Sequence, residues 1–263
     1  DTTYVDSTII EGTVTINDGV DSTALFTGFT ITGDYTGRGL SVTSEHNVLI
    51  DNIKVTGVGG VQFVQSKARL HNSTVSHNTS PQYGGGIIIN ASDISLFNVV
   101  VDSNTANSNG GGIWVTANYP DTSKVIILAS SINGNETNSG GGGVFANENC
   151  IINITESSIA NNTSSSYGGG IYNQGLLRVY QTQVEDNLAT NNSGGGLYSS
   201  GPFNIYDSHI LGNETSSDRG GGIFSTGGGN ATLPDTIINC IISNNHSQQY
   251  GGGMYLEDYS TFY

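Results

Sequence analysis

The sequence predicts an all-β chain wound into a right-handed parallel β-helix of about nine or ten coils. Three observations carry this. Seven glycine triplets, ending at Gly86, Gly112, Gly143, Gly170, Gly196, Gly222 and Gly253, are each followed by an aliphatic or methionine side chain. A second landmark travels with them: Asn78, Asn104, Asn135, Asn162, Asn187, Asn213 and Asn245 each stand a few residues before a triplet. Three residues before each of these asparagines lies an aliphatic, from Val75 and Val101 to Ile210 and Ile242. Fixed self-similarity near 26 residues, with short β-branched runs and no helical period, is the mark of a solenoid.

The coil follows from this spacing. Three short strands per turn, each bonded to the coil above and below, bring like residues onto like at about 4.8 Å per coil. The aliphatic column becomes the core. The small column two residues earlier (Ser73, Val99, Ser130, Ser157, Thr182, Ser208 and Cys240) faces the same way by alternation. The asparagines are expected to form a ladder in a turn, using their tolerance of left-handed backbone and their amide bonds along the stack. The glycines mark a place where the backbone bends or passes close to a neighbour. Two triplet spacings of 31 residues are read as surface insertions, around Asn118-Tyr119-Pro120-Asp121 and Thr226-Gly227-Gly228-Gly229-Asn230. The strong repeats span 71–256 and weaker coils span 8–70, so 1–263 is read as a single β-helix domain. Neither end carries an evident cap: Thr13-Val14-Thr15-Ile16 already looks like strand, and the chain runs out at Tyr259-Ser260-Thr261-Phe262-Tyr263.

Composition narrows the function. With 22 acidic and 7 basic residues the formal charge is −15, which repels a phosphate backbone, so nucleic acid is not expected as a partner. No run of about 20 apolar residues spans a bilayer, and no basic-then-apolar leader opens the chain. The expectation is a soluble chain, with no membrane insertion of its own and any export signal removed. Cys150 and Cys240 fall in different columns three coils apart, too far for a disulfide, and are expected to be free and buried. No calcium-binding nonapeptide or Asp-x-Asp-x-Asp loop occurs, so neither metal nor cofactor is expected.

The paired elements resemble the repeat of the chlamydial polymorphic outer membrane proteins and of bacterial β-helix surface proteins that share it. That family couples a Gly-Gly-x-Ile element to an aromatic-or-aliphatic-x-x-Asn element. Gly85-Gly86-Ile87 with Val75-Ser76-His77-Asn78, and Gly169-Gly170-Ile171 with Ile159-Ala160-Asn161-Asn162, are two of the seven pairs here. The likeness covers roughly residues 26–256 and starts at Phe26-Thr27-Gly28-Phe29-Thr30-Ile31-Thr32-Gly33. It implies secretion, surface display, and adhesion or scaffolding. This chain is expected to depart from the family pattern in carrying no C-terminal membrane barrel, and it has Val or Ile where Phe is usual.

Candidate sites follow from the columns. Immediately after each repeat's aliphatic stand Ile88, Trp114, Phe145, Tyr172, Tyr198, Phe224 and Tyr255, an outward stripe suited to stacking on sugar rings or on another protein unless a loop covers it. Asn-x-Ser/Thr acceptors occur at Asn72, Asn78, Asn90, Asn135, Asn153, Asn161, Asn162, Asn191, Asn213, Asn230 and Asn245, although internal rungs could not carry glycan. The column six residues before the ladder asparagine reads Asn72, Asn98, Ala129, Glu156, Gln181, Asp207, Asn239. Glu156 and Asp207 would stand two coils apart, about 9.6 Å, near the separation used by inverting glycosidases, with His209, Arg178 and Asp186 as neighbours. The basic residues do not gather beside them as a polyuronate lyase would need. The expected function is a secreted or cell-surface structural or adhesive protein, not an enzyme, contacting glycans, surface proteins or further copies of itself head to tail. The rival is a polysaccharide lyase or hydrolase on the same fold.

Overall fold

A computed structural model describes residues 8–19, 24–33, 37–227 and 234–257. Every paired strand among them is parallel to its neighbours, and no residue is helical. The coil beginning at Lys67 shows the plan, with strands Lys67–His71, Thr74–Ser76, Thr79–Ser80 and Ile87–Asn90. Thr74–Ser76 belongs to a first sheet of ten strands, Ile87–Asn90 to a second of ten, and Lys67–His71 to a third of nine. Thr79–Ser80 belongs to a narrow ribbon of seven two-residue strands, a fourth layer absent from the three-strand expectation. The result is the right-handed parallel β-helix that the repeat implies.

Register is uniform because the repeat is. Val75 pairs with Val101, Val101 with Ile132, and Ile87 with Ile113. Alternation then turns one side chain in two into the lumen. The first sheet contributes Val75, Val101, Ile132, Ile159, Val184 and Ile210, all buried. Ile113 and Val144 from the second sheet and Ile127 and Ile154 from the third complete the cross-section. Fully burying such a side chain contributes about 1.5–3 kcal/mol. β-Branched residues suit this pleated wall because their restricted χ1 costs little in a strand.

The asparagines do form a ladder, inside the stack. Asn104 donates its side-chain amide to Asn135 Oδ1 at 2.9 Å and to Val75 O at 2.9 Å, while its backbone N–H also reaches Asn135 Oδ1. The same three bonds recur at Asn135, Asn162, Asn187 and Asn213. One expectation is corrected: the left-handed residue is the one before each rung (His77, Ser103, Asn161, Asp186, Asn244), not the rung itself. The rung needs its side chain inside, and the left-handed step before it supplies the bend.

The triplets do both jobs foreseen for them. Gly110 bends the chain at φ +72°, where a Cβ would lie 2.6 Å from Ile113 O. Gly111 and Gly112 run against the next coil, where a Cβ would lie 2.5 Å from Gly142 O and 3.0 Å from Asn135 Nδ2 respectively. The glycine wall is therefore packed on the asparagine ladder. The Ser/Thr column sits in the turn between the third and first sheets. Ser157 Oγ donates to Thr155 O at 2.7 Å and accepts from Ser130 N–H at 3.1 Å, and Ser130, Thr182 and Ser208 repeat the relay.

The first insertion lies between strands Ile113–Thr116 and Ser123–Leu128, closed by Asp121 N–H donating to Asn118 O at 2.8 Å. Residues 228–230 of the second insertion, and 259–263 at the C-terminal end, lie outside the described residues. Cys150 is free and buried, and desolvation pushes its thiol up to about 12. Cys240 is also free but half-buried, contrary to expectation, because no further described strand stacks on its coil; it holds the serine position and donates to Ile238 O.

Candidate functional site

Two long outer faces carry the candidate residues. On the second sheet the stripe points away from the lumen but is not bare. The turn before each triplet folds back beside it. Tyr83 stacks on Trp114 with ring centroids 4.4 Å apart, and Tyr167 leans on Tyr198 at 4.6 Å. Ile88, Phe145 and Phe224 are buried, while Trp114, Tyr172, Tyr198 and Tyr255 are half-buried. Along the stack the rings touch continuously, Phe145 to Tyr172 at 4.7 Å, Tyr172 to Tyr198 at 4.8 Å, then Phe224 and Tyr255 at 5.2 and 5.7 Å. Burial raises the phenols of Tyr172 and Tyr198 above their ordinary value, and for Tyr198 the neighbouring Tyr172 and Tyr167 add to the effect.

Two arginines punctuate this face, and neither was singled out by sequence. Arg219 lies 5.0 Å from the Tyr255 ring and pairs with Asp218 and Glu257 at 3.3 and 3.2 Å. Arg38 donates to the carbonyls of Gly59, Tyr83 and Gly84 and to Ser80 Oγ at 3.2 Å, tying the first triplet turn to the coils before it. Its burial lowers its pKa to about 10. The signal for Arg38 was weak: a lone basic residue between glycines.

The second face is the corner between the third and first sheets. The column Asn72, Asn98, Ala129, Glu156, Gln181, Asp207, Asn239 lies here, and all seven residues adopt left-handed backbone, with φ between 45° and 54°. The column is laced at both ends. Asn72 donates to Asp51 Oδ1 at 2.7 Å, Asn98 to Asn72 Oδ1 at 2.8 Å, and Asn239 to Asp207 Oδ1. Between them an open groove of about 480 Å³ is lined by Asn98, Val100, Ala129, Ser131, Glu156, Ser158, Gln181 and Gln183. The structure thus puts Glu156 and Asp207 on one line, two coils apart with Gln181 between. His209 follows on the adjoining first-sheet strand His209–Leu211, and Asp186 occupies the next left-handed bend. Arg178 does not join them. It projects from the third sheet with Nη1 3.4 Å from Asn153 Oδ1.

Sequence reasoning missed the apolar row beside this groove. One residue before the left-handed column, the third sheet stacks His71, Phe97, Leu128, Thr155, Tyr180, Tyr206 and Ile238 in register. Phe97 and Tyr180 are 39% and 41% exposed, more open than any ring of the predicted stripe. The available signal was a recurring ring seven residues before the ladder asparagine.

The acceptor sites divide by burial. Asn78, Asn135, Asn162 and Asn213 are buried rungs whose amides are committed, so glycan cannot attach there. Asn245 is a half-buried rung that donates to Ile210 O. Asn72, Asn161 and Asn191 are exposed, Asn90 and Asn153 half-buried, and Asn230 lies outside the described residues. Among the described residues no cluster of three metal-binding side chains occurs, and no helix is long and apolar enough to cross a membrane.

Residues 98–116 and 156–174 match the model of the Chlamydia polymorphic membrane protein repeat. Each matched segment begins at the left-handed corner, at Asn98 or Glu156, then takes in the rung asparagine, the glycine triplet and the second-sheet strand that follows it. The chain is therefore a parallel β-helix carrying repeats of this type. No curated protein and no solved structure matches it.

Proposed function

We propose that this chain is a secreted or cell-surface β-helix that works by contact along its long faces, as an adhesive or structural element. The observation that carries this reading is where polar and aromatic groups lie. Ladders and relays occupy the turns and interior, while accessible rings such as Phe97 and Tyr180 lie along an outer corner. Surface rings on a rigid scaffold are suited to burying against another molecule. The matched repeat, named for a membrane protein, supports placement at a cell surface. Flow cytometry of labelled, purified chain on intact cells tests the reading: saturable binding is expected, and its absence at micromolar concentration overturns it.

The catalytic rival keeps one specific observation, the alignment of Glu156 and Asp207 on the groove corner. Release of reducing ends from a polysaccharide, lost in Glu156→Gln, would replace the contact reading with hydrolysis. Head-to-tail stacking of copies rests on apolar side chains exposed on the outermost coils, Ile9 and Leu25 at one end and Ile241 and Met254 at the other. Further chain would cover these edges equally well. Electron microscopy distinguishes fibres from single rods.

A further inference from the structure

The left-handed corner is laced at its ends and unlaced in the middle, and the gap coincides with the groove. Asn72 and Asn98 continue an amide row from Asp51, and Asn239 ties to Asp207. At Ala129 the row has only a methyl group, and no side-chain hydrogen bond is made by Glu156, Gln181 or Gln183. The missing amide leaves an open stretch there, lined by the exposed polar side chains of Glu156, Gln181 and Gln183. Two exposed rings, Phe97 and Tyr180, stand one residue before Asn98 and Gln181, at opposite ends of this stretch and three coils apart. At about 4.8 Å per coil that separation is about 14 Å.

We propose that the groove over Ala129, Glu156 and Gln181, flanked by Phe97 and Tyr180, is a binding site for an extended neutral polysaccharide. The chemistry selects this class. Sugar rings offer apolar faces for stacking and hydroxyls that both donate and accept, which Gln181, Gln183 and the Glu156 carboxylate match. No basic side chain lines the groove, and a chain of charge −15 repels a polyanion. A long, open cleft running across coils admits a polymer better than a compact ligand. This deepens the contact reading above and rests on it only for biological setting, since binding here is measurable without cells.

The test is a printed array of neutral and anionic oligosaccharides probed with the intact chain, the double variant Phe97→Ala/Tyr180→Ala, and Ala129→Asn. Asparagine tolerates the left-handed backbone at position 129 and refills the gap with an amide, so this variant keeps the fold while closing the groove. The expected result is binding to neutral glycans only, weakened about tenfold or more in the double variant and in Ala129→Asn. Binding confined to anionic glycans, no binding to any neutral glycan, or neutral binding unchanged in both variants overturns the proposal. If cells are bound but both variants bind them as the parent does, the groove assignment fails and the contact reading stands. If neutral glycans are bound through the groove and cells are not, the contact reading fails and the site stands.

Discussion

Two corners of the coil turn the chain by different means. Between the first sheet and the ribbon, seven coils use one device, a left-handed residue or glycine followed by an inward asparagine, buried in all of them but Asn245. Between the second and third sheets the device changes along the molecule. In the coils of Ser66 and Ser92, a left-handed Gln65 or Ala91 precedes a serine whose hydroxyl donates back to Val64 O or Asn90 O and accepts from the coil before. In the coils of Asn173 and Ser199 the left-handed residue is gone. Gly175 and Gly201 hold the corner, and the polar group moves two residues upstream, so Asn173 and Ser199 donate forward to Gly175 O and Gly201 O.

The displacement changes the lumen. The inner second-sheet column runs Phe63, Ile89, Val115 and Ala146, then becomes Asn173, Ser199 and Ser225. Phe203 enters the facing wall of the coil that carries Ser199, and buried Asp235 accepts from Phe203 N–H and Ser225 Oγ. The lesson is that a corner needs an internal polar partner, not a particular residue. A buried polar group without one costs about 1–3 kcal/mol, and the coils of Ser66, Ser92, Ser123, Asn173 and Ser199 each supply a side-chain donor from one side of the turn or the other. At this corner Asn173 Oδ1 is buried with no hydrogen-bond partner among the described residues.

Substitutions sharpen this comparison, the largest effect falling on the invariant corner. Asn162→Leu removes the acceptor of two Asn135 N–H groups and the donor to Ile132 O and Asn187. It should cost about 4 kcal/mol in urea unfolding. A loss under about 1 kcal/mol would mean the ladder contributes little. Next, Gly201→Ala should cost about 3 kcal/mol, because its Cβ would lie 2.1 Å from Gly175 O, a backbone atom that cannot swing aside. Wild-type stability in that variant would show that the glycine corner has room to relax. Ser92→Ala, which leaves the Ser66 N–H without its acceptor, should cost about 1–2 kcal/mol by the same measurement. Cys150, at the changeover, tests the seal of the corner without a substitution. With its thiol pushed up to about 12, it should stay unreactive toward a thiol reagent at pH 8 until the chain unfolds. Rapid labelling of Cys150 in the native chain would mean the corner opens.

Much of the fold was legible because a solenoid writes its geometry into its spacing. The Val75 and Asn104 columns, the triplet wall and the 118–121 insertion lie where the repeat puts them. The candidate faces were less legible. The stripe from Trp114 to Tyr255 is outward-facing as the alternation predicts, yet Tyr83 and Tyr167, five residues before Ile88 and Tyr172 respectively, fold onto it through a turn whose path alternation does not encode. The carboxylate column was found, but its groove was not, since it depends on the absence of a side chain at Ala129.

By itself the sequence determined the coil, its period and the residues that stack, because hydrogen bonding between identical turns forces like onto like and only one phase buries the aliphatic column. The tertiary structure decided which outward residues are accessible, on which side of each turn the buried polar group lies, and where a row of amides breaks to leave a groove. Those depend on how close non-repeating turns approach the stack, a distance that no periodicity specifies.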